Sequence, residues 1–251
     1  MPFLRANGLT FHVQSIGEGS PVVMLHGLLV DNLASWYFTV APSLARNRRV
    51  VMFDLRGHGK SERARDGYST VSMAGDLSAL LDELQIDTLD LVGHSFGALV
   101  ALRFALENPD RVRRLVLVEA PLPPSQLEEM VEFVQSGPEK IVQSMPDGMQ
   151  GALRAGSRRA AKIISALKFL LGESSLVADL QAEGDIPDDE LRQIACPVLC
   201  FYGKNSSCRS VGDRLTRIIP DTRLIELDGG HYLPLEHGAT IGEEIGEFLS
   251  G

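Results

Sequence analysis

Leu91-Val92-Gly93-His94-Ser95-Phe96-Gly97 joins an apolar run to a helical pattern and leaves no room for a loop between them. Leu89 to Val92 reads as a buried strand, and Phe96 to about Glu107 as a helix. A serine caught in such a turn has a strained backbone and presents its hydroxyl at the C-terminal edge of a sheet. Glycines two before and two after let neighbouring chain approach where a Cβ would clash. The helix that begins there aims free N–H groups and partial positive charge at the same point, which suits a developing oxyanion. Serine is also a common helix cap, so the surrounding chain has to decide between the two roles.

Outward from this turn the chain alternates. Leu9 to Gln14 reads as an edge strand, Pro21 to Leu25 and Arg49 to Phe53 as short buried strands, and Val112 to Glu119 as the next strand after the Phe96 helix. Helical patterns cover Ser35 to about Ala45 and Val71 to Leu84, where Met73, Leu77, Leu80, Leu81 and Leu84 recur at three- and four-residue spacing. Later come a strand over Pro197–Tyr202, a helix over Val211–Ile219, a strand over Arg223–Leu227 and a helix over Ala239–Leu249. Strands that are apolar throughout, separated by amphipathic helices, predict an α/β fold with a mostly parallel sheet flanked by helices. From about Pro121 to Leu191 the rhythm breaks. That segment enters through Pro121, Pro123 and Pro124, leaves near Pro187, and shows helical stretches at Ser125–Gln135 and Ser157–Leu171 but no convincing strand. The reading is a core of residues 1–120 and 192–251, with residues 121–191 as a helical lid over one end of the sheet.

The composition limits the function. The 251 residues are 44% hydrophobic and 23% charged, as in an ordinary globular protein large enough to bury a core without staples. With 24 Lys and Arg against 33 Asp and Glu, the formal charge of −9 disfavours nucleic acid as a partner. No run approaches the roughly 20 apolar residues of a membrane span, and the first residues lack an export signal. Cys196, Cys200 and Cys208 cannot all pair and form no redox motif, so the cytoplasm is the expected location.

Four ordered motifs then carry a resemblance. His26-Gly27-Leu28-Leu29 follows the first buried strand, and Asp54 to Ser61 reads D-L-R-G-H-G-K-S. Ser95 sits in G-x-S-x-G, and Gly229-Gly230-His231 follows the last strand. Over about Leu9–Glu119 and Cys196–Leu249 the chain resembles the compact, lidded α/β-hydrolases. The resemblance implies Ser95 as nucleophile, His231 as base, and an oxyanion hole from the backbone N–H groups of Leu28 and Phe96. It further implies hydrolysis of an ester or thioester through an acyl-serine. Dehalogenase and epoxide hydrolase chemistry in this family needs a carboxylate nucleophile, which Ser95 is not. His237 competes with His231 as base but reads as the start of the last helix, and His12 and His58 read as surface or turn residues. No H-x-x-x-H or Cys/His cluster signals a metal, and no cofactor is expected.

The acid departs from the family pattern. The resemblance places an aspartate after the Pro197–Tyr202 strand in a G-x-x-D context, but the chain reads Gly203-Lys204-Asn205-Ser206. Ser206 cannot carry the charge that holds an imidazolium. Glu119 directly follows Leu115-Val116-Leu117-Val118 on the strand after Ser95 and reaches the same sheet edge. Many haloalkane dehalogenases and certain polyketide thioesterases draw their acid from this place. Asp54 and Asp228 remain alternatives, the first as an anchor of the R-G-x-G turn and the second as a loop residue.

Substrate signals are weaker. His26, Trp36 and His94 near the turn, with Met130 and Phe133 in the lid, are the candidate substrate contacts for a fairly apolar acyl group. Arg154, Arg158, Arg159 and Lys162 recur at helical spacing, a basic stripe suited to coenzyme A or an acyl carrier domain. Hydrolysis of a carbon–carbon bond and a non-catalytic receptor on the same fold are the competing readings.

Overall fold

The computed structural model describes residues 3–122 and 158–251. Its strands are β1 (Phe3–Ala6), β2 (Leu9–Ile16), β3 (Pro21–Leu25), β4 (Arg49–Phe53), β5 (Leu89–His94), β6 (Val112–Val118), β7 (Val198–Gly203) and β8 (Thr222–Leu227). They form one sheet in the order β1-β2-β4-β3-β5-β6-β7-β8. From β4 to β8 every pairing is parallel, while β1 and β2 are antiparallel.

Alternation along the buried strands splits the core in two. Val23, Leu25, Leu115, Leu117 and Cys200 point to one face, which is covered by α3 (Thr70–Glu83), α4 (Phe96–Glu107) and α8 (Arg209–Ile218). Val22, Met24, Val116, Val118 and Phe201 point to the other, against α1 (Ala34–Tyr37), α2 (Ala41–Leu44), α9 (Leu233–Glu236) and α10 (Gly238–Phe248). Cover on both faces is why these strands are apolar at every position rather than at every second one.

Three details differ from the sequence reading. Leu9–Ile16 is not the edge, because β1 folds back on it through Asn7-Gly8, both at positive φ. That dipeptide is the signature of a two-residue hairpin and was the available signal. The Ser35–Ala45 pattern forms two four-residue helices instead of one. Pro42 sits in the first turn of α2, where its missing N–H costs nothing, but it cannot continue a helix from α1. His12 and His58 are buried, not superficial.

Among the described residues no strand lies between Val118 and Val198. That interval contains α5 (Arg158–Gly172), α6 (Leu176–Ala182) and α7 (Asp188–Leu191). Leu167 and Leu170 of α5 sink into the apolar face shared with α3 and α4. The Asp179 carboxylate accepts from the Tyr68 N–H at 2.7 Å, and Glu183 accepts from the Thr70 N–H at 3.0 Å. Both carboxylates thus sit at the N-terminus of α3, where its dipole favours negative charge. The helical stretch expected at Ser125–Gln135 lies outside the described residues.

Two buried histidines lock the loops after β3 and β4 together. His26 Nδ1 donates to the Gly27 carbonyl at 2.6 Å, and its Nε2 accepts from the Leu55 N–H at 2.9 Å. In return, His58 Nδ1 donates to the Arg56 carbonyl at 2.8 Å, and its Nε2 accepts from the Leu29 N–H at 2.9 Å. Leu29 needs that support, since it holds φ 68° without being glycine. Asp54 anchors the same turn by accepting from the N–H groups of Leu33 and Lys60.

Burial, and then repulsion from His26, pushes His58 down from 6.5 to about 4. An unfolded chain takes up a proton between those values that the folded chain refuses. Stability is therefore full above pH about 6.5 and falls as the pH drops toward 4, by about 3 kcal/mol in total for this group. Urea midpoints measured across that interval should show the decline. His58→Gln keeps an acceptor for the Leu29 N–H but does not titrate, so its decline should be shallower.

Candidate active site

Strands β5 and β6 place two side chains next to each other. His94 pairs with Val118 in register. The ladder then runs one residue further on each strand, with the Ser95 N–H donating to the Val118 carbonyl and the Glu119 N–H to the Phe201 carbonyl, both at 2.9 Å. There the backbone turns sharply, at φ 54° for Ser95 and φ 53° for Glu119. Neither residue is glycine, and such conformations cost about 1–3 kcal/mol each unless the surroundings impose them. The surroundings here are tight: a Cβ on Gly97 would stand 2.4 Å from the His26 carbonyl oxygen.

The third side chain arrives from the loop after β8. His231 Nε2 lies 2.9 Å from Ser95 Oγ, and His231 Nδ1 lies 3.1 Å from Glu119 Oε2. Glu119 is fully buried yet well partnered. Its Oε1 accepts from the Gly203 N–H at 2.5 Å, and its Oε2 also accepts from the Ser206 hydroxyl. Ser206, which stands where the resemblance led one to expect an aspartate, thus hydrogen-bonds the Glu119 carboxylate. A carboxylate on Nδ1 fixes the imidazole with its Nε2 lone pair toward the serine, the orientation that proton abstraction needs. Asp228 is exposed and pairs with Lys204 Nζ at 2.8 Å, and Asp54 is committed to the turn described above.

The two candidate oxyanion donors flank the serine. Phe96 is the first residue of α4, so its N–H belongs to the helix N-terminus, and Ser95 is the capping residue. Leu28 follows Gly27, whose Cα packs so closely that an added Cβ would stand 3.2 Å from Ser95 Cβ. Asp31 supports this loop from below by accepting from the Gly27 N–H at 2.8 Å. Partial burial opposes its ionisation, but a hydrogen bond from His94 and the nearness of His26 hold its carboxyl at about 2.

Three proposed substrate contacts turn out to be structural. His26 is fully buried with both ring nitrogens occupied by backbone. Trp36 is fully buried on the opposite face of the sheet, where its indole N–H donates to the Leu25 carbonyl at 3.0 Å. His94 directs Nε2 at the His231 carbonyl, 2.9 Å away, and Nδ1 toward Asp31 at 3.5 Å. A carbonyl only accepts, so His94 donates and ties the serine turn to the histidine loop. These roles could not be inferred from residue type, because each depends on a backbone group distant in sequence. Met130, Phe133 and Arg154 lie outside the described residues; Lys162 is exposed. Cys208 is buried, and its sulfur, a Glu119 oxygen and a His231 nitrogen all lie within 4.8 Å of one another.

Residues 20–175 match the family model described as alpha/beta hydrolase fold, and the chain belongs to that family. A segment of 118 residues is 42% identical to a 2-hydroxy-6-oxo-2,4-heptadienoate hydrolase of Pseudomonas putida, covering 46% of this chain and 42% of that protein. Another comparison gives 38% identity over 115 residues with a soluble epoxide hydrolase of a Corynebacterium, covering 45% of this chain and 39% of the relative. The matched part thus spans under half the length of these curated relatives. The enol-lactonase of Burkholderia xenovorans LB400 superposes with a TM-score of 0.76 at 22% identity over 100% of both chains, a likeness of fold.

The geometry makes the acid testable. Glu119→Gln keeps the size of the side chain but removes its charge, and should lower kcat by on the order of 10⁴. Adding Ser206→Asp to that variant should recover part of the loss, since residue 206 touches the same carboxylate oxygen. Both are read from steady-state hydrolysis of a p-nitrophenyl ester. Near wild-type turnover in Glu119→Gln, with Asp228→Ala inactive, would overturn the assignment.

Proposed function

We propose that the chain is a serine hydrolase that opens an ester or thioester of a fairly apolar acyl group through an acyl-serine. The observation that carries this is the continuous relay from Glu119 through His231 to Ser95, with both contacts at hydrogen-bond length. His231 takes the hydroxyl proton as Ser95 attacks the carbonyl carbon. Glu119 offsets the charge that the imidazole acquires. The N–H groups of Leu28 and Phe96 hold the tetrahedral oxyanion, each contributing about 3–4 kcal/mol in the transition state. The protonated His231 then delivers its proton to the leaving group. Water, activated by the same imidazole, releases the acid and frees the serine.

A second reading is hydrolysis of a carbon–carbon bond next to a ketone. The 42% identical segment shared with a 6-oxo-dienoate hydrolase favours it. The same serine would attack the ketone, and a stabilised carbanion would take the proton from His231. The epoxide hydrolase relative argues less for this chain, because opening an epoxide to a carboxylate-bound intermediate is not chemistry for Ser95. A coenzyme A or carrier-bound thioester remains within the first reading. It draws on the lid's basic residues, of which Lys162 is exposed.

A fluorophosphonate probe should label the wild-type chain and leave Ser95→Ala unlabelled. Failure to label the wild type would instead favour a ligand-binding receptor on this fold. Rates on p-nitrophenyl esters of increasing length, acyl thioesters and a vinylogous diketone, each compared as kcat/KM, would then rank the readings. We expect the esters to lead and the preference to rise with acyl length.

A further inference from the structure

We propose that Cys208, Glu119 and His231 form an inhibitory site for a thiophilic divalent cation of the zinc type. Each contributes one ligand atom, and all three atoms lie within 4.8 Å of one another. His231 Nδ1 and Glu119 Oε2 are already 3.1 Å apart. That is close to the separation of two ligands on a tetrahedral ion with bonds of about 2.0–2.2 Å. The Cys208 sulfur needs a side-chain adjustment of about 1 Å to complete the triangle at its longer bond of about 2.3 Å. A thiolate and a carboxylate together neutralise the double charge, and His231, 37% exposed at its side chain, leaves a fourth position open to water.

The surroundings orient these ligands as outer partners do in metal sites. The Gly203 N–H holds the other Glu119 oxygen at 2.5 Å. Ser206 donates to Glu119 and accepts from the Cys208 N–H at 3.1 Å, so one hydroxyl links two of the three ligand residues. No metal-binding spacing marks the set along the chain, because its members come from three separate strand ends.

The consequence for catalysis follows from proton placement. The cation displaces the thiol proton to water and takes the Nδ1 lone pair, while the single imidazole proton moves from Nδ1 to Nε2. The imidazole stays neutral with that proton on Nε2, facing Ser95 Oγ. A protonated Nε2 cannot accept from the serine, so the ion locks the base in the wrong tautomer without touching the nucleophile. This effect rests on the triad proposed above, whereas binding itself does not.

The test uses the full chain after chelation, titrated with Zn²⁺ for inhibition of ester hydrolysis and with Co²⁺ for absorption. Wild type should be inhibited reversibly, with EDTA restoring the rate, and Co²⁺ should give a thiolate charge-transfer band. Cys208→Ser should lose that band and need about tenfold more Zn²⁺ or higher for half-inhibition of its own rate. Cys196→Ser should behave as wild type. Equal zinc sensitivity in wild type and Cys208→Ser, or a Co²⁺ spectrum without the thiolate band, would overturn the site. If no ester is turned over, the Co²⁺ titration still decides the site, and the failure falls on the proposed reaction.

Discussion

On β5 and β6, the hydrogen-bonded ladder continues one residue beyond each strand and then meets a left-handed residue, Ser95 on one and Glu119 on the other. The rest of the site depends on this paired irregularity. Two neighbouring parallel strands in register deliver their next residues side by side. The same abrupt backbone turn then sends both side chains to the same edge. A regular strand end would place the two side chains without this convergence. The strain is sustained because the surroundings leave no alternative: the ladder holds both N–H groups, Gly97 packs on the carbonyls of β3 and the turn after it, and Glu119 is enclosed on all sides.

Histidines carry the remaining connections, and only one of them is a candidate for proton transfer. His26 and His58 exchange backbone hydrogen bonds between two loops, so the loop after β3 cannot shift independently of the loop after β4. His94 joins the serine turn to the backbone of His231 itself. An imidazole suits these positions because one ring can donate and accept at once, bridging groups that a shorter side chain would not reach. The result is a site framed by imidazole rings that tie its loops to one another.

Much of this was legible in the sequence. Uninterrupted apolar strands between amphipathic helices gave the doubly covered parallel sheet, and the order of four short motifs gave the family. Ser95, His231 and Glu119 were each recognisable from their position after a strand, because the sheet edge converts chain order into proximity. What escaped was of two kinds. The hairpin at Asn7-Gly8 rests on a purely local signal, two adjacent residues at positive φ. The roles of His58, His26, Trp36 and His94 were of the other kind, since all were decided by partners from 11 to 137 positions away. No periodicity encodes such contacts. The broken helix at Pro42 falls between the two, a local rule overridden by an apolar pattern that ran on across it.

Ser206 and His231 both hydrogen-bond the same oxygen of Glu119. The two places from which members of this family draw their acid are therefore separated in space by little more than one hydrogen bond, although a whole strand and the lid separate them along the chain. A carboxylate at either address would reach the same imidazole without the base or the nucleophile moving. The hydroxyl at residue 206 is too weak to hold an imidazolium, but it is well placed to steady the Glu119 carboxylate beside it.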